Sequence, residues 1–253
     1  MSGLSSHAAR AIEVTKVHAD GETVVCAFQR LSIDVPENEL TAIMGPSGSG
    51  KSTLLYCLAG LDRVTSGRIF IGDHDITTRS DTELAILRRE RVGLIFRECD
   101  LVPELTVRRN IRLPLLLARR KVDKEWFDHI VHAAQLKKLL DQMPAQLSYG
   151  QRQRVAVARA LINRPRIVFA DEPTGTLDSR SSEELLVLLR TFVDETGQAM
   201  FMVTRSPVVA SYAHSVVFLS GGRIADCMAD PTPGGILDRI KAPPPAPDPL
   251  IGT

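Results

Sequence analysis

The residues richest in chemistry are Gly45-Pro-Ser-Gly-Ser-Gly-Lys51-Ser52, which follow the apolar run Leu40 to Met44 and lead into Thr53-Leu54-Leu55. A buried strand, a glycine-rich turn and the first turn of a helix stand in the order that an anion cradle requires. Glycine lets successive backbone N–H groups turn inward and approach an anion closely, and the helix N-terminus adds unpaired donors and partial positive charge. Lys51 brings a mobile full charge for the outer phosphates, and the Ser52 hydroxyl is a hard oxygen that suits Mg2+. The spacing implies a nucleoside triphosphate site made by Gly45, Ser47, Gly48, Ser49, Gly50, Lys51, Ser52 and Thr53. A chance glycine-rich turn is the duller alternative, and the complete motif in its proper context argues against it.

Two further stretches carry chemistry. Asp171-Glu172 follows four apolar residues; an acid at the end of a buried strand can hold Mg2+, directly or through water, and Glu172 is placed to accept a proton from attacking water. Alone, such a pair is more often a solvated strand end, but beside a phosphate loop it reads as the second half of a nucleotide site. The other stretch is Leu147-Ser148-Tyr149-Gly150-Gln151-Arg152-Gln153-Arg154, running on to Leu161. Ser148 suits an N-cap and Gly150 leaves backbone N–H groups accessible, so this is a second anion-binding helix start or an ordinary capped helix.

The elements that must position these residues alternate strand and helix. Residues 1–10 read as a frayed start. Ala11 to Val17 and Val24 to Val35 alternate as strands of an antiparallel layer, with a turn at Pro36 to Glu39. After the cradle, a helix with Leu54, Leu55 and Leu58 on one face ends at Gly60. A strand at Arg68 to Ile71, a charged helix at Asp81 to Arg89 and a buried strand at Val92 to Phe96 follow. From Arg97 to Pro165 helical patterns broken by Pro103, Pro114 and Pro144 form an insert of about 70 residues, and long connections of this kind usually carry function. Strands resume at Arg166 to Ala170, Ala199 to Val203 and Ser215 to Leu219, with a helix from Ser181 to Thr196 that turns Leu185, Leu188, Leu189 and Phe192 inward. A turn at Ser220-Gly221-Gly222 leads to Arg223-Ile224-Ala225. The pattern predicts an α/β fold with a mostly parallel sheet covered on both faces, an N-terminal antiparallel layer and a helical insert. The expected organisation is one domain over residues 1–241, with the insert at about 97–165, and an extended proline-rich tail over 242–253.

Composition narrows the partners. The 253 residues carry 31 Lys plus Arg against 30 Asp plus Glu, so no basic field points to nucleic acid. Cys26, Cys57, Cys99 and Cys227 are scattered singly, which fits a reducing, cytosolic setting. The N-terminus lacks a signal-peptide apolar region, and no apolar run approaches the roughly 20 residues that cross a bilayer. A membrane role would need a span supplied by another polypeptide.

With these motifs in order, the sequence resembles the ATP-binding-cassette (ABC) ATPases over nearly the whole chain up to about residue 226. Leu147-Ser148-Tyr149-Gly150-Gln151 is similar to the family's signature, and Asp171-Glu172-Pro173-Thr174 with Thr176-Leu177-Asp178 to its Walker B and D-loop. The resemblance implies Mg-ATP as cofactor and a head-to-tail homodimer with two ATP molecules between the copies. Each phosphate loop would then face the partner's Ser148, Gly150 and Gln151, with Asp178 alongside. It also implies an integral-membrane permease on a separate chain, and hence a peripheral position on the cytoplasmic face of the membrane. Residues 102–107, Asn110 and Leu113-Pro-Leu-Leu-Leu look like the lipoprotein-release and macrolide-export branch. A cell-division-type relative that signals to a membrane protein without transport is the first rival. A soluble DNA-repair or translation ATPase fits poorly, since it would bring a second cassette, a coiled-coil insert or a basic face.

Three positions depart strongly from the family pattern and a fourth mildly. Arg97 stands where a glutamine usually contacts Mg2+ and the attacking water, and Arg205 stands at the switch histidine. His18 falls where an aromatic, usually tyrosine, stacks on adenine. Tyr149 replaces the signature's first glycine, a milder change. A one-residue error in the match, or substitution without purpose, is the plain explanation of the arginines. The sharper one is that both sit near the outer phosphate and pair with Glu172. At about 4 Å and an effective dielectric near 20, such a pair is worth up to roughly 4 kcal/mol before desolvation. Binding is then expected to survive better than turnover.

Overall fold

The computed structural model describes residues 7–20 and 23–241. The proline-rich tail and the first six residues of the expected frayed start lie outside them. His7 to Arg10 are not frayed: they begin a long strand, and Ala8 and Ala9 are completely buried. Two antiparallel strands, β1 (His7–Asp20) and β2 (Thr23–Pro36), pair over most of their length and outrun the expected boundaries. They are followed by β3 (Leu40–Met44), α1 (Lys51–Leu58), β4 (Ser66–Ile71) and β5 (His74–Asp75). Next come α2 (Asp81–Arg91) and β6 (Val92–Ile95), then the helices α3 (Val107–Leu117), α4 (Lys124–Ala133) and α5 (Tyr149–Leu161). The chain closes through β7 (Ile167–Asp171), α6 (Ser179–Thr196), β8 (Ala199–Val203), α7 (Pro207–Ala210), β9 (Ser215–Ser220), β10 (Arg223–Ala229) and α8 (Pro233–Lys241).

One sheet has the order β2-β1-β4-β5 and is antiparallel. The larger has the order β10-β9-β3-β8-β7-β6, parallel from β9 to β6 with β10 antiparallel at the edge. Strand periodicity divides β3 between two cores. Leu40, Ala42 and Met44 pack with α3, α5 and α6, whereas Ile43 packs with α1 and the antiparallel sheet. Leu54, Leu55 and Leu58 are buried in that second core as their spacing requires. In α6 the inward face is Leu185, Leu186, Leu189 and Phe192; Leu188, expected inward, is only half-buried.

The insert between β6 and β7 is helical, but Pro114 does not break it. Pro114 lies inside α3, which runs three residues further because Ile111 and Leu115 on either side of it are buried in the core. The preceding loop is held by Asn110, which is fully buried. Its Nδ2 donates to the carbonyls of Val102 (3.0 Å) and Leu105 (2.8 Å), and its Oδ1 accepts from the Val102 N–H (2.9 Å). Removing the amide leaves the Val102 N–H and the Leu105 carbonyl without this partner, while the Val102 carbonyl keeps the Leu105 N–H at 3.2 Å; each group left unpaired costs about 1–3 kcal/mol if no water enters. Asn110→Ala is therefore expected to lose about 2–4 kcal/mol of stability. Urea unfolding checks this, and a loss under about 0.5 kcal/mol, the ordinary scale of a surface change, would show that the loop does not depend on the amide.

Candidate functional site

The parallel register brings the ends of three strands together. Ile43 of β3 pairs with Val203 of β8, and Val203 pairs with Asp171 of β7. The glycine loop thus leaves the sheet one strand away from Arg205 and two from Asp171-Glu172. Gly45 is required by close packing, since a Cβ there would lie 2.0 Å from the Leu219 carbonyl oxygen. Gly50, at φ 93°, turns the chain into α1 through the left-handed region, which glycine enters without strain. The helices α2 to α7 each start on a side-chain cap (Ser80, Thr106, Asp123, Ser148, Asp178 and Ser206), but α1 has none. Its first-turn N–H groups are left for an anion, which the residue set fits.

Lys51 is nearly buried beneath the loop, and its Nζ donates to the carbonyls of Gly45 (2.9 Å) and Pro46 (2.7 Å) and to Ser49 Oγ (3.2 Å). Burial lowers its pKa, the positive charge of Arg205 lowers it further, and Glu172 and Asp171 oppose the shift. Ser52 Oγ donates to Asp171 Oδ1 at 3.0 Å, which places two hard oxygens side by side as a divalent cation needs. The other oxygen, Oδ2, accepts from the Tyr56 hydroxyl at 2.7 Å. Burial, and next the bond to Asp171, push the Tyr56 phenol up to about 12, so it stays a donor. Sequence reasoning missed Tyr56, although it stands four residues after Ser52 on the same helix face.

Glu172 has φ 45°, a left-handed conformation unusual outside glycine, and its N–H continues the ladder to the Val203 carbonyl at 3.0 Å. Its side chain meets both unusual arginines. Arg205 Nε lies 2.8 Å from Glu172 Oε1, and Arg97 Nη1 lies 3.7 Å from Oε2. The symmetry follows from the sheet. Arg97 stands two residues beyond Ile95 of β6, and Arg205 two beyond Val203 of β8, so strands on both sides of β7 each deliver one cation. Arg97 also reaches the Gly175 carbonyl at 3.4 Å. The guanidinium side chains are 57% and 62% exposed, so solvent screens both pairs and the bound of roughly 4 kcal/mol falls to about 1 kcal/mol apiece. That still biases Glu172 towards the arginines and away from water.

The remaining candidates are spread around this centre. Ser47 and Gly48 are exposed on the loop, and a Cβ on Gly48 would meet nothing within 4 Å. Thr53 continues the first turn of α1. Ser148 and Gln151 form a reciprocal capping box on α5, through the Gln151 N–H to Ser148 Oγ (3.2 Å) and the Ser148 N–H to Gln151 Oε1 (2.8 Å). Gly150 follows in the half-buried first turn, its Cβ position 3.2 Å from Ser181 Oγ. Asp178 caps α6 by accepting from the Ser181 N–H (2.9 Å) and hydroxyl (2.8 Å), which holds its carboxyl below the usual range. His18 is exposed on β1 opposite Val25, and among the described residues no hydrogen bond or ion pair joins it to the loop.

Comparison with known proteins agrees with this geometry. Residues 28–175 match the ABC transporter family. An uncharacterised ABC transporter ATP-binding protein of Methanocaldococcus jannaschii, MJ0796, is 37% identical over 217 residues, covering 83% of this chain and 92% of that protein. The lipoprotein-releasing system ATP-binding protein LolD 1 of Chlorobium chlorochromatii is 39% identical over 198 residues, covering 77% of this chain and 80% of that protein. The dimeric structure of the cassette MJ0796 in a post-hydrolysis state, bound to ADP and Pi, superposes with a TM-score of 0.79 at 34% identity, covering 88% of this chain and 99% of that one. A glycine loop, a strand-end acid pair and a second capped helix start, on this sheet order and with these relatives, make the conclusion plain: the chain belongs to the ABC transporter family and is one of its ATP-binding cassettes.

Proposed function

We propose that this chain is the ATP-binding subunit of an ABC transporter, a homodimer that closes on two ATP molecules and drives a separate integral-membrane permease from its cytoplasmic face. The observation that carries this reading is the hydrogen bond from Ser52 to Asp171, which ties the phosphate loop to the acidic strand end. Lys51 and the loop N–H groups bind phosphate. Ser52 and Asp171 would hold Mg2+, which supplies charge neutralisation between phosphate oxygens. Glu172 polarises water. Ser148, Gly150 and Gln151 serve the partner's nucleotide, with Asp178 beside them, and His18 stacks on the base. The unit is a single domain over 1–241 with the insert at about 97–165, followed by the tail. The likeness to a lipoprotein-releasing relative supports that branch.

One signature per chain cannot complete its own site. Dimerisation is therefore expected to require ATP and to depend on the signature in trans. In a Glu172→Gln background, sedimentation should show an ATP-dependent dimer that Ser148→Arg abolishes. A dimer that survives Ser148→Arg, or a monomer indifferent to ATP even with the permease, would count against it.

The ion pairs on Glu172 support a slow cassette. Arginine grips phosphate in a two-pronged bond but accepts no hydrogen bond from water. Arg205→His returns a group that both donates and accepts, and Arg97→Gln returns an oxygen. Two screened pairs of about 1 kcal/mol leave room for the double variant to raise hydrolysis about tenfold, close to 1.4 kcal/mol of barrier, with little gain in affinity. Because both arginines act on one carboxylate, the single effects should not add. Steady-state phosphate release, with and without permease, decides. A wild type turning over at about 1–10 per second, with the double variant no faster, would refute this reading of the arginines. The same ion pairs favour a second reading, an ATP-timed signal to a membrane protein without transport. Substrate flux in liposomes separates the two.

A further inference from the structure

The loop that carries Arg97 is fastened to the signature helix with unusual completeness. From Phe96 to Asp100, four of five carbonyls accept from side chains of α5. Gln153, fully buried, donates through Nε2 to the Phe96 carbonyl at 2.9 Å and accepts from Cys99 Sγ at 2.9 Å. Arg159 donates to the carbonyls of Cys99 (3.0 Å) and Asp100 (2.7 Å). The fourth bond runs from the Tyr149 hydroxyl to the Arg97 carbonyl, at 2.8 Å. Tyr149 is the first residue of α5, between Ser148 and Gly150, and its ring lies 5.2 Å from the Arg152 guanidinium. A glycine, which the family signature carries here, has no group that makes this bond.

We propose that Tyr149 is a positioning residue that latches the helix start serving the partner's nucleotide to the residue that holds this chain's own Glu172. The inference rests on the head-to-tail dimer reading. On one side of the hydroxyl is the N-terminus of α5, where Ser148 is exposed and Tyr149 to Gln151 are half-buried. On the other, the same residue whose carbonyl is held extends its guanidinium to Glu172 and to the Gly175 carbonyl. Movement of α5 towards a partner's phosphate therefore shifts the backbone of Arg97 and changes its grip on the carboxylate. Gln153 and Arg159 make the loop and the body of the helix one piece; Tyr149 extends that piece to the turn that meets the partner. The consequence is coupling between the two nucleotide sites of a dimer through bonds within each chain.

The test uses the full chain. Tyr149→Phe keeps the ring and its packing on Arg152 and removes only the hydroxyl, so a purely space-filling role would be preserved; Tyr149→Gly removes both. Without nucleotide, amide hydrogen exchange of residues 97–101 should quicken about fivefold in both variants, as loss of one ordinary hydrogen bond implies. Unchanged exchange in Tyr149→Phe would overturn the latch. With ATP, the Hill coefficient of phosphate release should be about 1.5 or more in wild type and lower in Tyr149→Phe, where the bonds of Gln153 and Arg159 keep part of the coupling. An equal coefficient in both would overturn the coupling. Sedimentation of the same samples keeps the two ideas apart. If wild type forms no ATP-dependent dimer, the dimer reading fails and the exchange result alone judges the latch. A dimer with unchanged cooperativity overturns the coupling and leaves the dimer standing.

Discussion

The structure depends on one constraint, the lateral order of four parallel strands. With β8 between β3 and β7, and β6 outside β7, every loop at the carboxyl ends of these strands opens onto the same edge. That order puts Lys51, Ser52, Asp171, Glu172, Arg205 and Arg97 within reach of one another, although they come from segments up to 154 residues apart, the separation of residues 51 and 205. The hydrogen bond from Ser52 to Asp171 is its smallest expression, and Tyr56 fixes the same carboxylate from α1.

Charge then decides what this edge does. Three cations, Lys51, Arg97 and Arg205, face two carboxylates, Asp171 and Glu172. The excess of positive charge suits a polyphosphate, and the uncapped start of α1 adds donors to it. Asp171 is engaged by two hydroxyls and keeps oxygen lone pairs for a cation, whereas Glu172 is engaged by two full charges. The first arrangement prepares a ligand; the second competes with a base. Because the arginines are more than half exposed, the competition is modest and weakens with ionic strength. A cassette slowed by this means retains its grip on nucleotide.

Much of this was legible in the sequence, because the informative segments are local. A glycine loop after a strand, an acid pair after a strand and a capped helix start each carry their geometry in a few adjacent residues. The pairing of Arg97 and Arg205 with Glu172 was also anticipated, through the match of their flanks to a known pattern. What escaped was set by tertiary contact. Tyr56 stands in an apolar helix, and nothing local to it marks the bond it makes to Asp171 on β7. Pro114 reads locally as a breaker, but burial of Ile111 and Leu115 outweighs the lost helix bond. The Pro-Thr-Pro-Gly-Gly run at 231–235 hid α8, which Thr232 starts by accepting from the Gly235 N–H and which buries only Ile236 fully. His7 to Arg10 are short or polar residues whose order comes from pairing with β2 and β4.

The central claim is that Glu172 is held by arginine rather than free for water. The most direct measurement is the cost of Glu172→Gln to hydrolysis in two backgrounds, the natural chain and the chain carrying both Arg97→Gln and Arg205→His. If the arginines occupy the carboxylate, its loss should cost about threefold or less in the natural chain and about a hundredfold in the other, the lower range for a working general base. A loss of about a hundredfold in both would mean that Glu172 already works as a base beside its arginines, and would contradict the account.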